Sequence, residues 1–235
     1  MRFVGVDGCR AGWVAVTRTH EQLDYAAFET IDQLARAYQQ AELILVDIPI
    51  GLPWSDCPIR PCDSLARDLL GTPRRTSVFP VPCRESVHAN GNAEARNANI
   101  RLINRSLSEQ TLGIRKKIAE VDLLVRDRIA PIREIHPEVC FWSLADRHAM
   151  QHKKSSEAGR KERVEVLTRF EPQTNQFLSR ALNDTLRMHV AADDFLDALA
   201  AFITAEAQIG SLSRLSGKPA IDREGLPMEM LYLDV

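Results

Sequence analysis

Two short apolar runs, each ending in an aspartate, constrain this chain more than any other feature. The first is Phe3 to Asp7. The second, Leu43-Ile44-Leu45-Val46, is uninterrupted, suits a strand buried on both faces, and leads directly into Asp47. Between them come a Gly-Cys-Arg-Ala-Gly turn, a β-forming stretch from Trp13 to Thr17, and a third run from Leu23 to Phe28. Thr30 then caps a helix whose apolar positions, Ile31, Leu34, Ala35 and Tyr38, recur at helical spacing. This order predicts an antiparallel meander and a returning helix, with the fourth strand parallel to the first. The two strand ends then lie side by side, where ligands of open α/β sheets gather. An aspartate after a strand commonly just starts a turn. Two carboxylates held this close, however, repel each other unless a proton or a cation intervenes. Mg²⁺ or Mn²⁺ is the natural cation, because both prefer oxygen ligands in octahedral geometry.

The middle of the chain breaks this pattern. Seven of the 12 prolines fall between Pro49 and Pro82, too dense for long regular elements apart from a short helix around Ser64 to Leu70. Helices are predicted over Ala93 to Arg105 and Ser108 to Asp127. Residues 50–130 therefore read as an inserted, mainly helical lobe within a single domain spanning 1–235. Ile132 to Val139 reads as a further strand, with Glu134, His136 and Glu138 on one face by the period of two. Lys153 to Phe170 combines a basic loop with a helix. Ala191 to Ile209 is strongly helical and carries Phe195, Leu196, Leu199, Phe202 and Ile203 on its apolar faces.

That late helix supplies more acid. Asp194 and Asp197 are three residues apart and so share a face, whereas Asp193 points elsewhere and suits a cap or dipole partner. Acids in a first helical turn are stabilising without any ligand. Yet Ala198, Leu199, Ala200 and Ala201 predict close packing, and a packed helix bearing two like charges on one face needs a counter-charge. A metal ion would provide it.

Charge is distributed unevenly. The formal net charge is -2, but residues 57–163 hold 20 Lys+Arg against 13 Asp+Glu, so a basic middle sits within an acidic frame. This permits a polyanionic partner without demanding one. Arg74, Arg75 and Ser77 lie in a Pro-bounded loop able to fork onto phosphate oxygens, and Lys153 and Lys154 can do so from the other side. Each of these residues taken singly also suits a solvated surface. His136 is read either as a group that orients water or shuttles a proton, or as a buried histidine bonded to backbone.

The five cysteines, Cys9, Cys57, Cys62, Cys83 and Cys140, include no C-x2-C pair and read as reduced thiols in a cytoplasmic protein. A zinc site from Cys57, Cys62, Cys83 and His88 is the alternative, but its spacing matches none of the usual ligand patterns. No apolar stretch of signal-peptide type follows Met1, and no run approaches the ~18–20 apolar residues of a spanning helix, so no membrane partner is expected.

Several motifs together resemble one family. Val4-Gly5-Val6-Asp7-Gly8-Cys9-Arg10-Ala11-Gly12-Trp13 is similar to the opening signature of the DUF429 family of predicted nucleases with a ribonuclease H-like fold. The likeness continues through Asp47-Ile48-Pro49-Ile50-Gly51-Leu52-Pro53, Cys62-Asp63 with Ala66-Arg67, and Arg74-Arg75-Thr76-Ser77-Val78-Phe79-Pro80. It then runs through Glu134-Ile135-His136-Pro137-Glu138, Lys153-Lys154 with Gly159, and the stretch from Asp194 to Ala200. This last motif also resembles the D-x-x-D-A-L-A helix of Holliday-junction resolvases. The resemblance implies an α/β, ribonuclease H-like mixed five-stranded sheet flanked by helices, with a mainly helical insertion after strand four. It also implies a nuclease in which Asp7, Asp47, Asp194 and Asp197 hold two divalent ions, Mg²⁺ or Mn²⁺, roughly 4 Å apart. Asp47 is one methylene shorter than the Glu many relatives of the wider fold carry there, which leaves room for Glu138 to help. The expected function is metal-dependent phosphodiester hydrolysis of DNA or RNA. Two other classes remain open, a nucleotide-binding phosphotransferase or phosphohydrolase of the same core and a non-catalytic nucleic-acid-binding module.

Overall fold

The computed structural model describes residues 1–185, 189–207 and 211–234. The chain begins with the expected meander, β1 (Phe3–Cys9), β2 (Gly12–Thr19) and β3 (Gln22–Phe28), followed by α1 (Ile31–Ala37) and β4 (Leu43–Val46). Thr30 caps α1, accepting a hydrogen bond from the Gln33 backbone N–H. Next come α2 (Pro61–Arg74), a 3-10 turn (Arg75–Ser77), α3 (Arg84–Val87), α4 (Asn92–Ile103) and α5 (Glu109–Arg126). After β5 (Ile132–Glu134) follow α6 (Pro137–Leu144), α7 (Glu157–Phe170), α8 (Thr174–Asp184) and α9 (Ala192–Glu206). Four short strands close the order: β6 (Leu212–Arg214), β7 (Ala220–Ile221), β8 (Pro227–Met228) and β9 (Leu231–Leu233).

The main sheet has the order β3-β2-β1-β4-β5. β1 pairs antiparallel with β2 and parallel with β4, in a register that sets Val6 opposite Val46. β5 extends the parallel half. Alternation along β1 and β4 assigns the faces. Val4, Val6, Ile44 and Val46 pack with Ile31 and Leu34 of α1 and with Ile118 and Val121 of α5. Leu43 and Leu45 face the opposite layer, which includes Phe141 of α6, Leu167 of α7, Phe177 of α8 and Phe195 of α9. The arrangement is a ribonuclease H-like fold.

Three sequence expectations change. The strand predicted over Ile132 to Val139 stops at Glu134, because Pro137 opens α6 as its first residue and His136 becomes the N-cap. Proline lacks an N–H that a first helical turn does not need, and it holds the residue before it extended. The short helix around Ser64 to Leu70 runs from Pro61 to Arg74, with a break at Gly71. Finally, the segment read as an inserted lobe is not set apart along its length, since α5 supplies one layer of the sheet's core.

Gly5 sets the distance between the two halves of the fold. A Cβ placed there would lie 2.1 Å from the Phe202 backbone N and 2.2 Å from the Ala198 carbonyl O, so α9 lies directly on β1. Gly5→Ala should therefore cost about 1–3 kcal/mol, the usual scale of overpacking. Gly113→Ala, inside α5 with nothing within 4 Å of the added Cβ, should instead stabilise by about 1 kcal/mol. Urea unfolding of both variants checks the opposite signs; a Gly5→Ala protein as stable as the parent would show that α9 has room to move.

Candidate active site

Asp7 lies two residues beyond Gly5 on β1 and so projects from the same face, toward α9. Asp47 follows β4 directly, and its backbone N–H donates to the Val6 carbonyl at 3.2 Å, carrying the parallel ladder one step past the strand. Asp194 and Asp197 stand one turn apart at the start of α9. All four line one cleft of about 490 Å³, together with His136, Glu138, Lys153 and Lys154. Asp7 and Asp197 are buried, at 6% and 3% exposure.

Burial and the crowding of like charges together raise three of the carboxyls, Asp7, Asp47 and Asp194. Burial raises the Asp7 carboxyl well above the ordinary range, with Asp197 and Asp47 adding repulsion. Asp47 is pushed up to about 7, first by burial and then by Asp197, while Lys154 pulls it back. Asp194 is also raised, mainly by burial, although its carboxylate accepts the Ala191 N–H at 2.8 Å as a helix cap does. Lys154 Nζ donates to Asp197 Oδ2 at 2.7 Å. Burial alone would lower the pKa of this ammonium, yet Asp197, Asp7 and Asp47 outweigh it and hold it above the ordinary lysine value.

The α6 start contributes a fifth acid. Glu138 Oε1 accepts from Arg163, a wholly buried guanidinium on α7, whereas Oε2 is buried without a hydrogen-bond partner. His136 caps α6 through Nδ1, which accepts the Glu138 N–H at 3.2 Å, and Nε2 faces the Ser77 carbonyl at 3.5 Å. Both ring nitrogens are thus turned to backbone, and burial lowers the pKa of the ring. Glu134 does not join His136 and Glu138. It accepts from the Ile50 N–H at 2.6 Å and from Arg60, which also pairs with Asp63 at 3.2 Å.

The expected phosphate ligands divide. Arg74, Ser77, Lys153 and Lys154 line the cleft, but Arg75 is exposed and does not. Arg74 Nε donates to the Met150 carbonyl at 2.8 Å, Ser77 Oγ donates to the Arg74 carbonyl, and Lys154 is committed to Asp197. The zinc alternative is not assembled among the described residues. His88 bonds Asp122 at 2.8 Å, and Cys62 faces Asp63, far from forming a group with Cys57 and Cys83. Cys62, Asp63 and Glu134 do converge, but the Arg60 guanidinium already stands among them.

Sequence reasoning missed two cations. Lys117 of α5 lines the cleft, lies over the Trp13 ring at 4.3 Å and donates to the Gly12 carbonyl; burial lowers its pKa. Arg163 had a legible signal, because it shares the apolar stripe of α7 with Val166 and Leu167 and so required a buried carboxylate.

An acidic cleft at the carboxyl ends of two parallel strands, closed by a helix crossing the sheet, defines an α/β protein of ribonuclease H-like class. The chain belongs to the DUF429 family, described as "Protein of unknown function (DUF429)", whose model matches residues 5–221. No curated protein and no solved structure matches it. Among the described residues, no helix is long and apolar enough to cross a membrane.

The raised carboxyls carry a sign for stability. A carboxyl with a raised folded pKa binds its proton in the fold at a pH where the unfolded chain has lost it. Stability therefore falls as pH rises from about 4 toward the Asp47 value of about 7. With chelator present, Asp47→Asn should be more stable than the parent at pH 8, and the difference should vanish near pH 4. Thermal melts across that range check this; a constant gap would mean that burial and the neighbouring acids do not raise the Asp47 carboxyl.

Proposed function

We propose that this protein is a divalent-metal-dependent phosphodiester hydrolase acting on nucleic acid. The meeting of Asp7, Asp47 and Asp197 in one cleft carries this reading, since these crowded acids call for a cation beyond Lys154. In donor chemistry the residues suit Mg²⁺ or Mn²⁺, while among the described residues no three of these carboxylates bring oxygens within 4.8 Å of one another. The donors are all carboxylate oxygens, and Glu138 Oε2 is a buried acceptor on the cleft wall with no hydrogen-bond partner, Arg74 Nε standing off at 4.0 Å. Asp7, Asp47, Asp194 and Asp197 would hold the metal, with Glu138 completing the set. Bound there, it supplies Lewis acidity at a phosphoryl oxygen and a water of lowered pKa.

The chain's own groups do the rest. Lys153, Arg74 and Lys117 line the same cleft and would attract and orient a phosphodiester. His136 fixes the start of α6 and thereby Glu138, which Arg163 holds from behind. A second reading, a nucleotide phosphohydrolase, is favoured by the cleft volume of about 490 Å³, which falls in the small-ligand range.

Millimolar Mn²⁺ should raise the Tm of the parent and much less that of Asp7→Ala. In an assay of labelled single-stranded, duplex and branched nucleic acids beside nucleoside triphosphates, the parent should cleave nucleic acid only with the metal. Asp47→Asn should lose about 10²-fold or more, the scale of removing one strong electrostatic stabiliser. Turnover of triphosphates alone would select the second reading, and full activity in Asp47→Asn would overturn the metal assignment.

A further inference from the structure

Lys154 differs from the other cleft cations in how it is held. The backbone on both sides of it is tied to the start of α7. Glu162 accepts the N–H groups of Gln151 and His152 at 2.7 and 3.0 Å, and Arg163 donates to the His152 carbonyl at 3.2 Å. Ser156 Oγ donates to the Lys153 carbonyl at 2.7 Å and accepts the Gly159 N–H at 3.0 Å. Gly159 permits this closeness, since a Cβ there would lie 2.0 Å from the Lys153 carbonyl O. The ammonium is thus presented to the acids from a braced loop, while the side chain keeps 45% of its surface exposed at the cleft mouth.

Its position is one a cation of the site would otherwise take. Nζ stands on Asp197 Oδ2 at 2.7 Å, on the α9 side of the cluster, and faces Asp7 and Asp47. On the α6 side of the cleft, the buried Glu138 Oε2 has no hydrogen-bond partner, and Arg74 Nε stands 4.0 Å away. Charge counting agrees with two different occupants. Glu138 is paired with Arg163, which leaves Asp7, Asp47, Asp194 and Asp197 as four negative charges, of which Asp194 also accepts the α9 N-cap N–H. One divalent ion and one ammonium offset three of these four charges and leave a single negative charge facing the basic rim. Two divalent ions beside the same ammonium would leave a surplus of positive charge in a cleft whose rim already carries Lys117, Lys153 and Arg74.

We infer that Lys154 takes the place of the second cation, so that the site holds a single divalent ion among Asp7, Asp47 and Glu138, with the ammonium fixed on Asp197. The inference rests on the metal-dependent reading above, replaces the two-ion form that the family resemblance implies, and narrows the ligand set to Asp7, Asp47 and Glu138. In the hydrolysis, Lys154 then carries the charge-stabilising role on the α9 side, as a fixed monovalent group that needs no metal to be loaded.

Mn²⁺ titration followed by electron paramagnetic resonance and calorimetry tests this. The parent should bind one Mn²⁺ per chain, with the spectrum of an isolated ion, and Lys154→Arg should do the same. Lys154→Met, similar in length without the charge, should bind two, with the broadened spectrum of a coupled pair. Two ions in the parent would overturn the inference and keep the metal-dependent reading. No ion in either parent or Lys154→Met would overturn both. One ion in a folded Lys154→Met would also overturn it, and should that variant not fold, the parent's stoichiometry decides between one and two.

Discussion

Everything at the candidate site depends on the absence of a side chain at Gly5. Because nothing projects from that position, the backbone of α9 near Ala198 and Phe202 lies against β1. Asp7 is then two residues along the same strand face, and Asp194 and Asp197 lie one turn and less from Ala198 on the helix. A larger spacing between helix and sheet would separate these acids and relieve their repulsion. Close packing in the core and electrostatic strain at the cleft are therefore one arrangement seen at two places, since tight cores transmit position over a few residues with little give.

Arginines brace the surroundings from inside. Arg60 joins Glu134 of β5 to Asp63 of α2 and donates to the Ile50 carbonyl, which fixes the Pro-rich segment after β4. Arg84 links Asp122 of α5 to Asp222, and Asp222 accepts the Leu52 N–H at 2.9 Å. Arg163 does the same for Glu138 behind the cleft. Buried pairs of this kind contribute little net stability against an apolar alternative, but losing one partner strands a buried charge. Their effect here is to hold irregular backbone, rich in proline and poor in ladder hydrogen bonds, in one conformation around the cleft.

The central strands and the acids at their ends were legible because they obey short-range rules. Four apolar residues before Asp47, a capped helix after Thr30 and two aspartates three apart on α9 are all local patterns. His136 and Glu138 misled in geometry for a local reason as well. Period-two alternation reads through Pro137, whereas proline at a helix start ends the strand and turns Glu138 into the first helical turn. The role of Lys154 was not legible at all. A Lys-Lys pair in a polar loop reads as two solvated cations, and only the bracing by Glu162, Arg163 and Gly159 separates them, with Lys153 on the rim and Lys154 against Asp197.

By itself, then, the sequence determined the meander and the parallel pairing of β4 with β1, the placing of Asp7 and Asp47 toward neighbouring strand ends, and the shared face of Asp194 and Asp197. Periodicity and turn chemistry act between residues close in the chain, and they suffice for these. Tertiary structure alone decided which cations and acids become partners: Arg60 with Glu134, Arg163 with Glu138, Lys154 with Asp197. Those pairs are 25 to 74 residues apart in the chain. A buried charge takes its counter-charge from whatever the packing of the core brings within reach, and that is set by the approach of α9 to β1 rather than by any pattern along the chain.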